Sequence, residues 1–249
     1  MNTKLFKNLS FKKFANNAKN SKLSIHEKVG FPDEYRKNKE KLIFNDFLNK
    51  LKNINKKNQT ILEIGPGCSN LPKLLSEHCK KKSSQVIFVD SKEMLDYIND
   101  DGHIKKYFGK FPNVFRKDIS SYHNKIDVII VYSVIQYVFS EDNLWDFIDS
   151  CLLLLKEGGQ LLIGDIPNSS MRKRFFMSDK GIKYHKKYFG RDEKPSVIFN
   201  NLSPGEIDDS IVIAIISRAR LQGFNAWIVP QSKSLPMSNR REDIVIQRP

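Results

Sequence analysis

The stretch Gln59 to Asn70, reading Q-T-I-L-E-I-G-P-G-C-S-N, constrains this chain more than any other part of it. Ile61, Leu62 and Ile64 suit a strand buried on both faces, as in the middle of a parallel sheet. Gly65 and Gly67 put no side chain where the backbone must turn sharply, and they let a ligand approach that backbone closely. A helix is predicted to begin near Leu71, and its first turn offers free N–H groups. A second strand, Gln85 to Asp90, ends on a carboxylate. Strand, glycine turn, helix and terminal acid together outline a site for a nucleoside cofactor.

The following residues repeat this strand-and-helix unit. The pattern predicts strand one at Thr60 to Ile64, a helix over Leu71 to Cys79, strand two at Val86 to Asp90 and a helix from Lys92 to Ile98. A short third strand is expected within Tyr107 to Phe115, before Asp118. Strand four is Ile126 to Tyr132, I-D-V-I-I-V-Y, followed by a helix near Asn143 to Leu155; the turn Lys156 to Gly159 leads into strand five, Gln160 to Ile166. Alternation of this length means a parallel sheet with helices on both faces. The end of the chain departs from it. After a helix over Ile207 to Leu221, strands at Phe224 to Val229 and Asp243 to Gln247 are joined by a loop holding Pro230, Pro236 and Asn239. So short a link cannot make a parallel crossover, so this last pair is expected to be antiparallel.

Ahead of the sheet lies a leader. Residues 1–20 place Leu5, Phe6, Leu9 and Phe14 at roughly helical spacing among lysines, which suits a membrane-surface helix, a lid or a helix docked on the main domain. Ser24 to Arg36 reads as a loop or short turn. From Tyr35 to Leu51 an apolar stripe of Leu42, Ile43, Phe47, Leu48 and Leu51 predicts a helix packed on the sheet. The chain is therefore divided into an N-terminal helical cap, 1–58, and a main domain, 59–249, with a long insertion at 167–204.

At 249 residues and 40% hydrophobic, the chain can bury a full core and fits one large α/β domain with appendages. No apolar run approaches a membrane span, and the N-terminus lacks the continuous apolar core of a signal peptide, so a cytoplasmic protein is expected. Cys68, Cys79 and Cys151 are odd in number and scattered, with neither metal-ligand spacing nor a disulfide framework. The net charge of +14 has two readings: an electrostatic footprint for nucleic acid, or a Lys- and Asn-rich composition whose charges are simply solvated.

Taken in order, I-L-E-I-G-P-G-C-S-N, V-I-F-V-D, D-I-S, D-V-I-I-V-Y-S-V-I-Q-Y-V and L-K-E-G-G-Q-L-L-I-G-D resemble the motifs of class I S-adenosylmethionine-dependent methyltransferases, from Gln59 to Gln247. The resemblance implies a Rossmann-like, mostly parallel seven-stranded sheet with an antiparallel last strand and helices on both faces. It also implies S-adenosylmethionine as cofactor. Glu63 then faces the methionine amino group, its alternative being a structural carboxylate bonded to loop N–H groups. Gly65 and Gly67 bring the loop to the cofactor, and Cys68 to Asn70 present N–H groups or side chains to its polar tail. Asp90, with Ser91 beside it, accepts from the ribose hydroxyls or else caps a helix. Met94 packs on adenine or belongs to the core. Asp118 and Ile119 match the adenine-reading pair, or form a surface turn. Tyr132, Ser133, Gln136 and Tyr137 follow strand four, where an aromatic face suits a sulfonium; either tyrosine can equally be a packing residue.

Competing cofactor chemistries fit less well. A dinucleotide turn needs glycine where Asn70 stands, and no phosphate-binding G-x-x-x-x-G-K-S/T exists. Methyl transfer is an in-line displacement, so alignment does much of the work, and a hydroxyl acceptor additionally needs a base. His26, Tyr137 and His185 are the candidate bases, each also readable as a surface or packing residue. The insertion interleaves cations with aromatics, so Arg172, Arg174 and Lys186, with Tyr35 from the leader, are candidates for holding an anionic acceptor; a solvated lid helix is the alternative. Three functions follow. They are methylation of a small polar metabolite that is anionic or phosphorylated (sugar- or nucleotide-linked), methylation of RNA, and cofactor binding without catalysis.

Overall fold

A computed structural model describes residues 9–190, 192–201 and 203–249. Leu5 and Phe6 of the leader lie outside the described residues. The cap comprises α1 (Phe11–Lys19), α2 (Ile25–Lys28), α3 (Asp33–Arg36) and α4 (Glu40–Lys50). Next come β1 (Thr60–Ile64), α5 (Leu71–Lys81), β2 (Gln85–Asp90), α6 (Lys92–Leu95), β3 (Ile104–Phe108), α7 (Ile119–Tyr122) and β4 (Ile126–Tyr132). The second half holds α8 (Ile135–Glu141), α9 (Leu144–Leu154), β5 (Leu155–Pro167), α10 (Ser169–Met177), α11 (Asp179–Phe189), α12 (Asp209–Leu221), β6 (Asn225–Pro230) and β7 (Arg241–Gln247).

The seven strands form one sheet in the order β3-β2-β1-β4-β5-β7-β6. β1 pairs in parallel with both β2 and β4, so the chain direction across the sheet reverses beside it, at the place where open α/β sheets bind ligands. β7 runs antiparallel to both neighbours, β5 and β6, as the short final connection requires. Because successive side chains of β1 alternate, Leu62 and Ile64 enter one apolar layer with α8, α9 and α12, while Ile61 enters the other with α4 and α5. Phe47 and Phe88 in the second layer are wholly buried, and emptying either position would cost about 3–5 kcal/mol. Among the described residues no helix is long and apolar enough to cross a membrane.

Three local expectations shift. The third strand ends at Phe108 rather than running toward Phe115, because Gly109 turns the chain at φ +147° and its N–H closes on the Asp90 carbonyl. Asn38, at φ +62°, splits the helix expected over Tyr35 to Leu51 into α3 and α4. The loop before it contains α2, held by a capping box in which Ser24 and Glu27 satisfy each other's backbone N–H groups.

Candidate functional site

The glycine turn after β1 leaves no room for side chains. Gly65 and Gly67 adopt φ of +69° and +67°, and a Cβ on either would sit 2.5 Å from Val134 Cγ2 or 2.6 Å from Val29 Cγ1. The backbone thus threads between the end of β4 and the cap, forming one wall of a cleft of about 1080 Å³ including its open mouth. Asp90 stands against the same turn. Its Oδ2 accepts the Gly67 N–H at 3.0 Å and its Oδ1 accepts that of Ser91 at 2.7 Å. Burial pushes this carboxyl up to about 6 even though both N–H groups favour the ionised form. Ser91 caps α6 through the Met94 N–H, and Met94, buried, lines the cleft.

Glu63 is the least satisfied group of the site. It is only 2% exposed, its Oε2 has no hydrogen-bond partner, and burial together with the nearby Asp90 charge raises its pKa to about 8. A buried acid without a partner is costly, and a cationic group beside it would remove that cost. Gln136 has a second orphaned oxygen, Oε1, while its Nε2 donates to the Ser133 carbonyl. Two glycines that exclude a Cβ, an orphaned acid and a second acid at the end of β2 suit a nucleoside bearing an amino-acid tail.

Of the other residues singled out from the sequence, Tyr132, Ser133, Tyr137 and His26 also line the cleft, whereas Glu63, Cys68, Asn70, Ser91 and Gln136 stand just outside its lining. Burial pushes the Cys68 thiol up to about 12, so it remains an unreactive thiol. Asp118 does not line the cleft and instead accepts from the Tyr107 hydroxyl at 2.6 Å; Gly109, Lys110 and Phe111 occupy the rim after β3, where Ile119 is also absent. His26 is engaged at both ring nitrogens, Nδ1 lying 2.6 Å from Asp33 Oδ1 and Nε2 2.7 Å from Glu40 Oε1. Burial holds the Tyr137 phenol above its ordinary range, which makes it a hydrogen-bond donor at neutral pH rather than a base.

The insertion residues lie apart from the cleft lining. Arg172 pairs with Glu206 at 2.9 Å, Arg174 with Asp209 at 2.5 Å, and Lys186 with Asp192. Tyr35 packs toward Tyr184 of α11, and the His185 ring stands 6.0 Å from that of Phe176. The cap, by contrast, reaches the cleft directly. Phe14 of α1 meets the Tyr137 ring edge-on at 4.9 Å, and α1 is tied to the α6 region by Lys19–Glu93 and by the Tyr97 hydroxyl on the Ala18 carbonyl.

One cluster went unread in the sequence. Arg36, in α3, lines the cleft and donates through Nη2 to Ser133 Oγ at 2.6 Å and to Asp165 Oδ2 at 2.8 Å. Asp165 ends the regular part of β5 in L-I-G-D, and Ser133 Oγ also donates to it. An acid at the carboxyl end of a central strand is a signal for Asp165; nothing local marks Arg36.

A family model described as a methyltransferase domain matches residues 62–163. No curated protein matches the sequence. Among solved structures, the plantazolicin methyltransferase BpumL in complex with a monoazolic desmethylPZN analog and SAH superposes with a TM-score of 0.57 at 12% identity, covering 96% of this chain and 98% of that one. An O-methyltransferase family protein from Burkholderia thailandensis gives 0.58 at 12% identity, over 99% of this chain and 67% of that one. The domain match runs from Leu62 of β1 through the glycine turn, Asp90 and β4 to Ile163 of β5, the elements that build the cleft, so this part of the chain is similar to a methyltransferase domain and the whole shares the Rossmann-like methyltransferase fold.

Proposed function

We propose that the enzyme methylates a small polar acceptor bearing an anionic group, a carboxylate or a phosphate, at the end of the cleft bounded by Arg36, Ser133 and Tyr137. The carrying observation is Arg36 itself: a guanidinium only 11% exposed that lines the cleft and, among the described residues, hydrogen-bonds only through Nη2. Its remaining donors are available for a planar anion. We assign Glu63 to the cofactor's amino group, Asp90 to its ribose hydroxyls and Met94 to its base. Bound there, the cofactor supplies a sulfonium methyl with a neutral thioether as leaving group.

The chain's own share is alignment and exclusion of water. Phe14 and the α2–α3 segment of residues 1–58 cover the cleft, which favours a small acceptor over an RNA strand, and Arg172 and Arg174 of the insertion are already paired with acids. With His26 held between two carboxylates and Tyr137 kept protonated, neither of these two side chains is a free base, which suits an acceptor that arrives already ionised. Three free, buried cysteines agree with a cytoplasmic setting.

Incubation with methyl-labelled S-adenosylmethionine and a panel of small carboxylates, phosphates, neutral analogues and RNA, followed by mass spectrometry, tests the assignment. Label is expected on an anionic small molecule; label on RNA or on neutral compounds alone would reject it, and no product on any acceptor would leave a cofactor-binding protein without catalysis. Arg36→Lys keeps the charge but not the fork, and is expected to raise the acceptor KM by roughly tenfold while S-adenosylhomocysteine affinity stays within about twofold.

A further inference from the structure

We propose that Arg241, at the start of β7, joins Arg36 in a two-guanidinium clamp for the anionic group of the acceptor; this rests on the anionic acceptor proposed above and adds the residue that completes its site. The two arginines converge on one aromatic ring. Arg36 Cζ lies 3.8 Å and Arg241 Cζ 5.9 Å from the centroid of Phe31, a cleft-lining residue. A flat cation over an aromatic face is held in place without using its hydrogen-bond donors.

Two guanidiniums meet at this point. Among the described residues, Asp165 is the one acid shared by the pair, with Oδ2 at 2.8 Å from Arg36 Nη2 and 3.3 Å from Arg241 Nη1. Arg241 Nη1 also donates to the Asp165 carbonyl at 2.8 Å. The next acid inward, Asp243, shares Lys50 with Asp46, at 2.6 and 2.5 Å, and Glu40 on the cap side is bonded to His26. One carboxylate therefore faces two guanidiniums, and among the described residues Arg241 hydrogen-bonds only through Nη1, as Arg36 does only through Nη2. Both side chains are largely withdrawn from water, 11% and 14% exposed, where a charge-assisted bond is strong.

The backbone is shaped to hold this arrangement. Ser133 and Asp165 end adjacent strands, both at φ +59°, a region that non-glycine residues seldom adopt. Such strain persists where surrounding bonds fix it, and here Ser133 Oγ and Arg36 both bond the Asp165 carboxylate. Tyr137 lines the cleft with Arg36 and Ser133 and supplies a further donor at the same end, while Arg241 stands outside that lining, against Phe31. The site takes a carboxylate or a phosphate by the same chemistry.

The test uses the full chain saturated with S-adenosylhomocysteine and titrated with inorganic phosphate and, separately, with benzoate, following chemical shifts by NMR. Arg241→Gln is expected to weaken the better probe by roughly tenfold or more, and Arg241→Lys by less, with whichever probe binds more tightly identifying the anion class. In parallel, S-adenosylhomocysteine and 5′-methylthioadenosine, which lacks the amino-acid tail, are titrated into each variant without probe. Affinity for both is expected to stay within about twofold of the native chain. Loss of S-adenosylhomocysteine but not of methylthioadenosine binding in Arg241→Gln would show that Arg241 serves the cofactor's own carboxylate and would overturn the clamp. Unchanged probe affinity in Arg241→Gln, with a loss in Arg36→Lys, would overturn it while leaving the anionic acceptor intact; absence of probe binding to the native chain would overturn both. Should Arg241→Gln not fold, Arg241→Lys decides, since undiminished probe binding there contradicts a planar fork.

Discussion

Glu63→Gln is expected to weaken S-adenosylhomocysteine binding by roughly 10- to 100-fold while making the ligand-free protein more stable at pH 8 than the native chain. Both effects come from the same buried, unpartnered carboxyl. Burial and the Asp90 charge raise its pKa in the folded chain to about 8, from an ordinary 4.5. The folded state therefore holds this proton at pH values where the unfolded chain has released it. The stability that Glu63 contributes is fully present below about pH 4.5 and is lost as pH rises through about 8, and at about 1.4 kcal/mol per pKa unit the loss amounts to a few kcal/mol. Gln cannot ionise, so the variant should gain on the native chain at pH 8 and not at pH 4. Conversely, a ligand ammonium favours the ionised acid, so native affinity should rise with pH toward 8, and this rise should be absent in the variant. Denaturant titration at pH 4 and 8, with calorimetry across the same range, checks both. Equal ligand affinity in the two chains would remove Glu63 from the cofactor site.

Asp165→Ala is expected to be the most damaging single change outside the apolar core, at about 3–5 kcal/mol. The loss has a specific origin. Without the carboxylate, Arg36 and Arg241 lose the acid they share, Gln231 Nε2 loses one of its two acceptors, and alanine must hold φ +59°. Breaking one side of a buried ionic cluster is costly because the partners stay buried, whereas surface pairs such as Arg172–Glu206 contribute little when removed. Urea denaturation of Asp165→Ala beside Arg172→Ala separates the two cases. A destabilisation below about 1 kcal/mol for Asp165→Ala would mean that the cluster is not the anchor between cap and sheet that its geometry indicates.

The parts of this molecule that could be read from the sequence are those in which neighbouring residues carry the signal. β1, the glycine turn and β2 with Asp90 are contiguous runs whose periodicity and glycine placement are local, and the antiparallel end follows from a short link. β3 was harder to place because I-K-K-Y-F is a half-exposed edge strand, with two lysines in its middle and weak alternation. At the acceptor end Ser133 and Tyr137 were legible after strand four, but the charged residues were not. Arg36 and Asp165 are 129 residues apart and Arg241 is 76 residues beyond Asp165, so only the fold brings them together. The same distance hides the partners of the insertion, since Glu206 and Asp209, which pair with Arg172 and Arg174, lie 34 and 35 residues downstream. His26 attracted notice as a free base in a loop, yet its partners Asp33 and Glu40 come from the turns that fold back over it.

The cleft lined by the Gly65–Gly67 turn and Asp90 is assigned to the methyl donor, and isothermal titration of the full chain with S-adenosylhomocysteine checks that assignment. Saturable binding at a single site per chain is predicted, weakened by roughly 10- to 100-fold in Asp90→Ala. No saturable binding, or an affinity that Asp90→Ala leaves unchanged, would contradict it.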